Sequence, residues 1–263
     1  MFFFFLACTR PVALPTPATP NEAPVATPAA SASASAGPVV LNGAQGPISV
    51  TPVYHGTVLV ETQGLRIWVD PWQKAPLSGA AADLVLITDI HPDHLDADAL
   101  QKVLGPATVL VAPPAVAEQY KARPIDHVLK NGEKATIKDI EIEAVPMYNL
   151  VRGPKEGQLF HDKGRGNGYI LTIGGQRIYL SGDTECTPEM KALQNIDLAF
   201  ISMNLPYTMT PTEAAECVAA FKPKQVTPYH YAGSDLSQFH AALASVSGVT
   251  ITERDAYPGG LPW

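Results

Sequence analysis

Four side chains able to hold a metal ion fall within six residues of this sequence, in Asp89-Ile90-His91-Pro92-Asp93-His94. Carboxylate oxygen and imidazole nitrogen together suit zinc, manganese or iron. The preceding run, Asp83-Leu84-Val85-Leu86-Ile87-Thr88, is short and apolar and reads as a strand buried on both faces. The four candidates therefore leave a strand end on a loop, where they can fold back and converge without helical spacing. The plainer reading is a polar turn with Asp96 capping the next helix, but a turn has no need of so many ligand-type groups together.

The elements around this segment follow from turn and cap signals. Val58-Leu59-Val60 and Leu65 to Val69 flank Gln63-Gly64 as a hairpin, and Gly168 to Ile173 with Arg177 to Leu180 form a second around Gly174-Gly175. Helices are expected from Asp96 to Leu104 and from Ala115 to Lys121, with strands at Ala107 to Val111 and, as one half-buried element, Ile137 to Val145. Thr187-Pro188 and Thr210-Pro211 each place a cap before a helix-starting proline, and Thr210 with Glu213 fits a capping box. Strands at Leu198 to Met203 and Gln225 to Thr227 alternate with these helices, and a last helix runs near Leu236 to Ser245. No repeat recurs at a fixed residue period. Strands first, then alternating β and α segments, indicate an α/β domain of sheets covered by helices.

Composition bounds the rest. The chain has 263 residues, is 46% apolar and carries a formal charge of −7, which argues against a generic nucleic-acid binder. Three cysteines, Cys8, Cys186 and Cys217, are too few for a disulfide framework, and the last two are left open between free and paired. Met1-Phe2-Phe3-Phe4-Phe5-Leu6-Ala7-Cys8 resembles the end of a bacterial lipoprotein signal, with Cys8 taking the lipid. The Pro-, Ala- and Ser-rich stretch behind it reads as an extended tether. The expected organisation is a signal-like segment 1–8, a disordered linker 9–46, a folded domain 47–258 and a tail 259–263. The expected location is the bacterial cell envelope, as a periplasmic lipoprotein touching the membrane only through its anchor.

Asp-x-His-x-Asp-His resembles the His-x-His-x-Asp-His motif of the metallo-β-lactamase superfamily. Ile67-Trp68-Val69-Asp70-Pro71 resembles the early Ile-x-x-Asp-Pro of its lactonase-like branch, Ser181-Gly182-Asp183-Thr184 its Gly-Asp-Thr, and Pro228-Tyr229-His230-Tyr231 its late histidine motif. All stand in the family's order, and the resemblance covers about residues 50–255, closest to the group holding ascorbate-6-phosphate lactonase-like and phospholipase-D-like hydrolases. It implies an αββα sandwich of two mixed β-sheets flanked by helices. It also implies two divalent metal ions, zinc foremost, with manganese or iron compatible. By position Asp89 and His91 would serve the first, Asp93, His94 and His230 the second, and Asp183 would bridge them. The family's first motif histidine is Asp89 here. Its third first-site histidine would follow the strand ending at Val145, where this chain reads Met147-Tyr148-Asn149. Asn149 through its oxygen, or His161 from the next loop, are the alternatives.

If two metals bind, a water between them becomes hydroxide near neutral pH, and Asp93 can orient it or manage its proton. Cys186 beside Thr187 needs no catalytic role. His55 is a candidate for substrate contact, and Asp70 for holding a ligand histidine by its ring N–H. The long loop from Leu150 to Asn167 bears Arg152, Lys155, His161, Lys163 and Arg165, and Arg165 between two glycines could approach an anion. Tyr207 is a candidate pocket wall. His127 on a strand and His240 on a helix read as structural. The expectation is a metal-dependent hydrolase cleaving an ester, lactone, amide or phosphodiester in a small, anionic substrate. The alternative is a non-catalytic metal-binding or sensing module with a degenerate first site. A nuclease on the same fold ranks below both.

Overall fold

A computed structural model describes residues 37–262 of the chain, with Met1. The signal-like segment, its Cys8 and most of the expected linker lie outside the described residues.

Four antiparallel strands open the fold: β1 (Val39–Gly43), β2 (Gly46–Tyr54), β3 (Thr57–Thr62) and β4 (Leu65–Val69). Three parallel strands extend the same sheet, β5 (Leu84–Leu86), β6 (Val109–Ala112) and β7 (His127–Val128), joined by helices α1 (Ala97–Val103) and α2 (Pro114–Gln119). The second half repeats the plan. Strands β8 (Lys134–Ile137), β9 (Ile140–Met147), β10 (Gly166–Ile173) and β11 (Gln176–Leu180) are antiparallel. Strands β12 (Leu198–Ser202), β13 (Gln225–Tyr229) and β14 (Thr250–Ile251) are parallel, separated by α3 (Pro188–Lys191), α4 (Pro211–Phe221) and α5 (Leu236–Leu243). The strand orders are β1-β2-β3-β4-β5-β6-β7 and β14-β13-β12-β11-β10-β9-β8. The absence of a sequence period thus conceals a repeat of architecture.

Alternation along the strands explains the layers. Ile67, Val69, Leu84 and Leu86 pack with Leu171, Ile178, Leu180 and Phe200 in the core between the sheets. Their neighbours Trp68, Val85 and Ile87 turn outward, onto Leu100 and Val103 of α1 and Val116 of α2. Tyr179, Ala199 and Ile201 likewise meet Ala214, Val218 and Phe221 of α4 and Phe239 of α5. Central strands are buried on both faces, as continuous apolar runs require. The result is the expected αββα sandwich.

Three details differ from the sequence reading, and one that it left open is decided. Strand β1 occupies residues assigned to the linker: Val39 and Leu41 are buried and pair onto β2, and neither composition nor turn signals marked so short a strand. The expected tail contributes Pro262 to the cavity described below. The single strand from Ile137 to Val145 is a hairpin, in which Lys138 and Asp139 both adopt positive φ between the paired residues Ile137 and Ile140. That turn ordinarily uses Asn-Gly or Asp-Gly, so Lys-Asp did not announce it. Cys186 and Cys217 form a disulfide with Cα atoms 5.6 Å apart.

Candidate metal centre

The polar residues gather along one edge of the two sheets, where the chain leaves its strands. His55 lies in the β2–β3 turn, Asp70 follows β4, and Asp89 to His94 follow β5. Asn149 and His161 lie between β9 and β10, Asp183 follows β11, Asn204 follows β12 and His230 follows β13. His55, Asp70 and His230 all take the left-handed conformation, with φ of 53°, 46° and 46°. For residues other than glycine this costs energy and clusters at functional sites. Gly56 permits the crowding: a Cβ there would stand 3.0 Å from His230 Cδ2 and 3.5 Å from His94 Cε1.

The loop after β5 is pinned at both ends. Asp70 accepts from Thr88 N at 2.8 Å and from the Thr88 hydroxyl, tying the end of β4 to the end of β5. Asp96 caps α1 through Asp98 N and Ala99 N, so the helix-cap reading of this residue was also correct. Between these anchors His94 N and Leu95 N donate to His91 O, folding the motif back on itself.

Imidazole and carboxylate atoms then converge in two neighbouring groups. His94 Nε2 lies 3.6 Å from Asp93 Oδ2 and 3.4 Å from Asp183 Oδ2. His230 Nε2 lies 3.2 Å from Asp93 Oδ2 and 3.3 Å from Asp183 Oδ1. In the adjoining group His161 Nε2 is 3.6 Å from Asp183 Oδ2 and 3.8 Å from Asp89 Oδ2, which is itself 2.8 Å from His91 Nδ1. Four ligands on a tetrahedral ion at about 2.0–2.1 Å stand about 3.3–3.4 Å from one another. The spacings of the first group match that figure closely. Asp183 faces both groups, one oxygen toward His230 and the other toward His94 and His161. The buried atoms His94 Nε2, His161 Nε2 and Asp183 Oδ1 make no hydrogen bond, a costly condition that a cation relieves.

What holds the histidines explains which nitrogen each presents. His94 Nδ1 lies 2.7 Å from Asp70 Oδ2, leaving Nε2 to the centre. His161 Nδ1 lies 2.7 Å from Asn149 Oδ1, which also accepts from His161 N at 2.8 Å. The structure therefore brings His161 to the centre and puts Asn149 behind it, with its oxygen already engaged. Asn149 Nδ2 in turn donates to Glu185 Oε1 and Tyr207 O. Arg165 is not open to a substrate: its Nε and Nη2 form a fork on Asp89 at 3.1 and 3.0 Å. His55 stacks on His230 at 3.6 Å between ring centroids, with Nε2 3.3 Å from Asp93 Oδ2. Tyr257 OH accepts from Ala232 N and lies 2.8 Å from His55 Nδ1.

The electrostatics put these groups in their ligating forms. Burial would raise Asp89, but His91, His161 and Arg165 outweigh it and hold its carboxyl well below the usual range. Asp183, likewise buried, and Asp93, half-buried, are also held down, by His94 and His230 chiefly. Burial lowers His55 to about 4, aided by His230, and lowers His161 to about 4 against the pull of Asp183 and Asp89. His94 goes the other way: burial disfavours its charge, but Asp93, Asp183 and Asp70 surround it and push it well above the ordinary histidine range. A proton there meets the same demand for positive charge that a metal would.

A cavity of about 420 Å³ opens onto this floor. Trp72, Pro92, Phe160, Tyr207 and Pro262 form its walls, so Tyr207 lies where expected. Lys74, also on the wall, donates to Pro262 O and sits 4.9 Å over the Trp72 ring. Asn204, 2% exposed, presents a buried Oδ1 without a hydrogen bond. Trp72, Lys74, Phe160 and Pro262 were not foreseen, since single residues on separate loops carry no spacing signal. His127 stands on β7 and His240 on α5, outside this cluster.

Comparison with known proteins bears on the same residues. A family model described as "Beta-lactamase superfamily domain" matches residues 49–230. A UPF0173 metal-dependent hydrolase of Pelotomaculum thermopropionicum is 29% identical over 221 residues, covering 78% of this chain and 95% of the relative. Another, of Thermococcus kodakarensis, is 30% identical and covers 67% and 81%. The crystal structure of a Parabacteroides distasonis protein assigned as a metal-dependent hydrolase superposes with a TM-score of 0.77 at 36% identity, over 84% of this chain and 99% of that one. Igni18, a metallo hydrolase of Ignicoccus hospitalis, shares the fold with a TM-score of 0.64 at 23% identity, over 80% and 96%.

Proposed function

The chain belongs to the β-lactamase superfamily and is a metal-dependent hydrolase, and from that premise we propose that it holds two divalent cations and cleaves an ester, lactone, amide or phosphodiester bond in a small molecule. The observation that carries this reading is the convergence of His94, His230, Asp93 and Asp183 at spacings of 3.2–3.6 Å, with His94 Nε2 and Asp183 Oδ1 buried there without a hydrogen bond. Asp89, His91 and His161 would hold one ion, Asp93, His94 and His230 the other, with Asp183 shared. The mixed nitrogen and oxygen donors suit zinc, manganese or iron.

Two such ions would supply Lewis acidity toward the scissile group and hydroxide from water near neutral pH. The protein's own part is placement and proton handling. Asp93 is the most open of the three carboxylates, its side chain 26% exposed against 5% for Asp183 and 0% for Asp89. It faces the cavity and can hold or return a proton at Oδ2. His55, held beside Tyr257 OH with its Nε2 3.3 Å from Asp93 Oδ2, fixes that carboxylate's orientation. Asp70 and Asn149 fix the rings of His94 and His161, as partners behind metal ligands do. With Arg165 engaged by Asp89, Lys74 is the cationic side chain on the cavity wall for an anionic group.

The reading of a non-catalytic sensor rested on a first site short of ligands. The position of His161 supplies the ligand and favours hydrolysis. An envelope location accords with the Cys186–Cys217 disulfide, which suits an oxidising compartment. The test is elemental analysis with a panel of generic ester and phosphodiester substrates. Two metals per chain are expected, and Asp183→Ala should lose them together with activity. Activity surviving in a metal-free Asp183→Ala protein would overturn the reading.

A further inference from the structure

We propose that the substrate carries an extended apolar chain, which leaves the metal centre over Phe160 and lies in a groove formed by Val151, Leu205 and Pro206. The inference rests on the hydrolytic reading above and names the class of molecule that reading leaves open.

Among the described residues from 37 onward, seven large apolar side chains are exposed, and five of them sit in three short segments: Leu150 at 46%, Val151 at 78%, Leu205 at 47%, Tyr207 at 42% and Leu261 at 46%. Isolated exposed apolar residues are ordinary, but concentration around one opening is not. Each segment also supplies the catalytic cavity or its support. Tyr207 and Pro262 line that cavity, and Asn149, next to Leu150, donates to Tyr207 O.

The apolar surface is continuous with the centre. Phe160 lines the 420 Å³ cavity and also a shallower one of about 380 Å³, formed with Val151, Arg152, Gly153, Leu205 and Pro206. Phe160 meets Tyr207 edge-on at 5.0 Å between ring centroids. A chain bonded to a group at the metal centre therefore has one apolar wall to follow outward. The groove offers it no free charge. Arg152, its one ionic member, forks onto Glu213 at 2.9 and 2.7 Å and lies 3.4 Å from Glu185.

The walls are held in place rather than awaiting a ligand. Arg152 N donates to Glu185 Oε1 at 2.7 Å, Phe160 N donates to Arg152 O at 3.1 Å, and Asn204 O accepts from Tyr207 N at 3.0 Å. A preformed apolar trough costs little ordering on binding. The Phe160 wall that it shares with the catalytic cavity assigns it to the substrate rather than to a protein partner.

The test uses straight-chain alkyl hydroxamates, whose head group chelates divalent metal, titrated by calorimetry into the metal-loaded full-length protein. One buried methylene, at about 0.8 kcal/mol, is a fourfold gain, and a chain lying half-open in a groove should show about twofold per methylene. Six methylenes, from the butyl to the decyl probe, then give about 60-fold tighter binding on the same principle. Val151→Ser with Leu205→Ser should bring that ratio close to one. Both positions are exposed, and metal content of the same sample reports whether the centre is intact. A butyl probe that binds with no gain on lengthening overturns this proposal and leaves the hydrolase standing. An equal gain in the doubly substituted protein shows the chain lies elsewhere and also overturns it. If no gain appears and the wild type self-associates in sizing experiments where the double variant does not, the surface is a contact between copies, and the proposal is wrong. Failure of every probe to bind a protein that carries its metals removes the hydrolytic reading along with this one.

Discussion

Replacing Asn149 with alanine isolates the contribution of a residue that touches no metal. Its side chain makes four hydrogen bonds: two accepted from His161, and two donated, to Glu185 and to Tyr207 O. Glu185 Oε1 keeps Arg152 N at 2.7 Å, so that carboxylate stays partnered. His161 N and Nδ1 do not, and His161 is 1% exposed. Leaving two buried donors unpaired, at about 1–3 kcal/mol each, costs on the order of 2–6 kcal/mol. In a domain of this size that is a fall in melting temperature on the order of 10 °C. Freed from its acceptor, the His161 ring loses orientation, and metal affinity at the Asp89–His91–His161 group should drop about 10–100-fold. The other group, oriented by Asp70, should keep its ion. Chelator competition followed by elemental analysis reads this directly: one metal per chain in Asn149→Ala, two in the wild type. Asn149→Asp is the control. It preserves an acceptor for His161 but sets a second carboxylate beside Glu185, so it should retain both metals while melting lower. If Asn149→Ala binds two metals with wild-type affinity, His161 is not a ligand and the assignment fails.

Asp70→Asn removes one of the two oxygens that serve Thr88 N, the Thr88 hydroxyl and His94 Nδ1, and should weaken the second ion about 10–100-fold while sparing the first, by the same competition assay. Equal loss of both ions would show general collapse instead. Chelating the protein should lower its melting temperature, because metal at 1,000 times its dissociation constant contributes about 4 kcal/mol and its removal leaves the buried carboxylates of Asp89 and Asp183 without the cation. Coincident melting curves with and without chelator would contradict this. Cys186→Ser with Cys217→Ser removes a cross-link spanning 31 residues, worth about 3.7 kcal/mol by chain entropy, so urea unfolding should show a loss of about 2–4 kcal/mol. An unchanged midpoint would mean that the oxidised link adds nothing to the fold.

The metal-binding segment was legible because it is local: strand, loop and helix cap follow one another in fourteen residues, Asp83 to Asp96, each with its own sequence signal. The same holds for the hairpins at Gln63-Gly64 and Gly174-Gly175 and for the caps at Thr187 and Thr210, where Met190 N and Glu213 N donate to the threonine hydroxyls. What escaped depends on distance. The Cys186–Cys217 link joins a loop to a helix, and nothing in either neighbourhood announces the other. His161 was named beside Asn149 as an alternative, and the choice between them rests on a loop that returns past the end of β9 and places Asn149 N on His161 O, a contact that composition cannot show. Arg165 looked like an anion binder because it is a cation in a basic loop. The buried charge it neutralises, Asp89, lies 76 positions earlier in the chain.

The two halves of the chain build matching sheets, and each contributes donors at their common edge. Asp89, His91, Asp93 and His94 come from the first, and His161, Asp183 and His230 from the second. An ion gripped from both sides is therefore a rivet through the seam as well as a reagent. With an ion bound, sliding one sheet over the other would pull its ligands apart, so the reaction geometry and the mechanical registry of the sandwich would be secured by the same bonds.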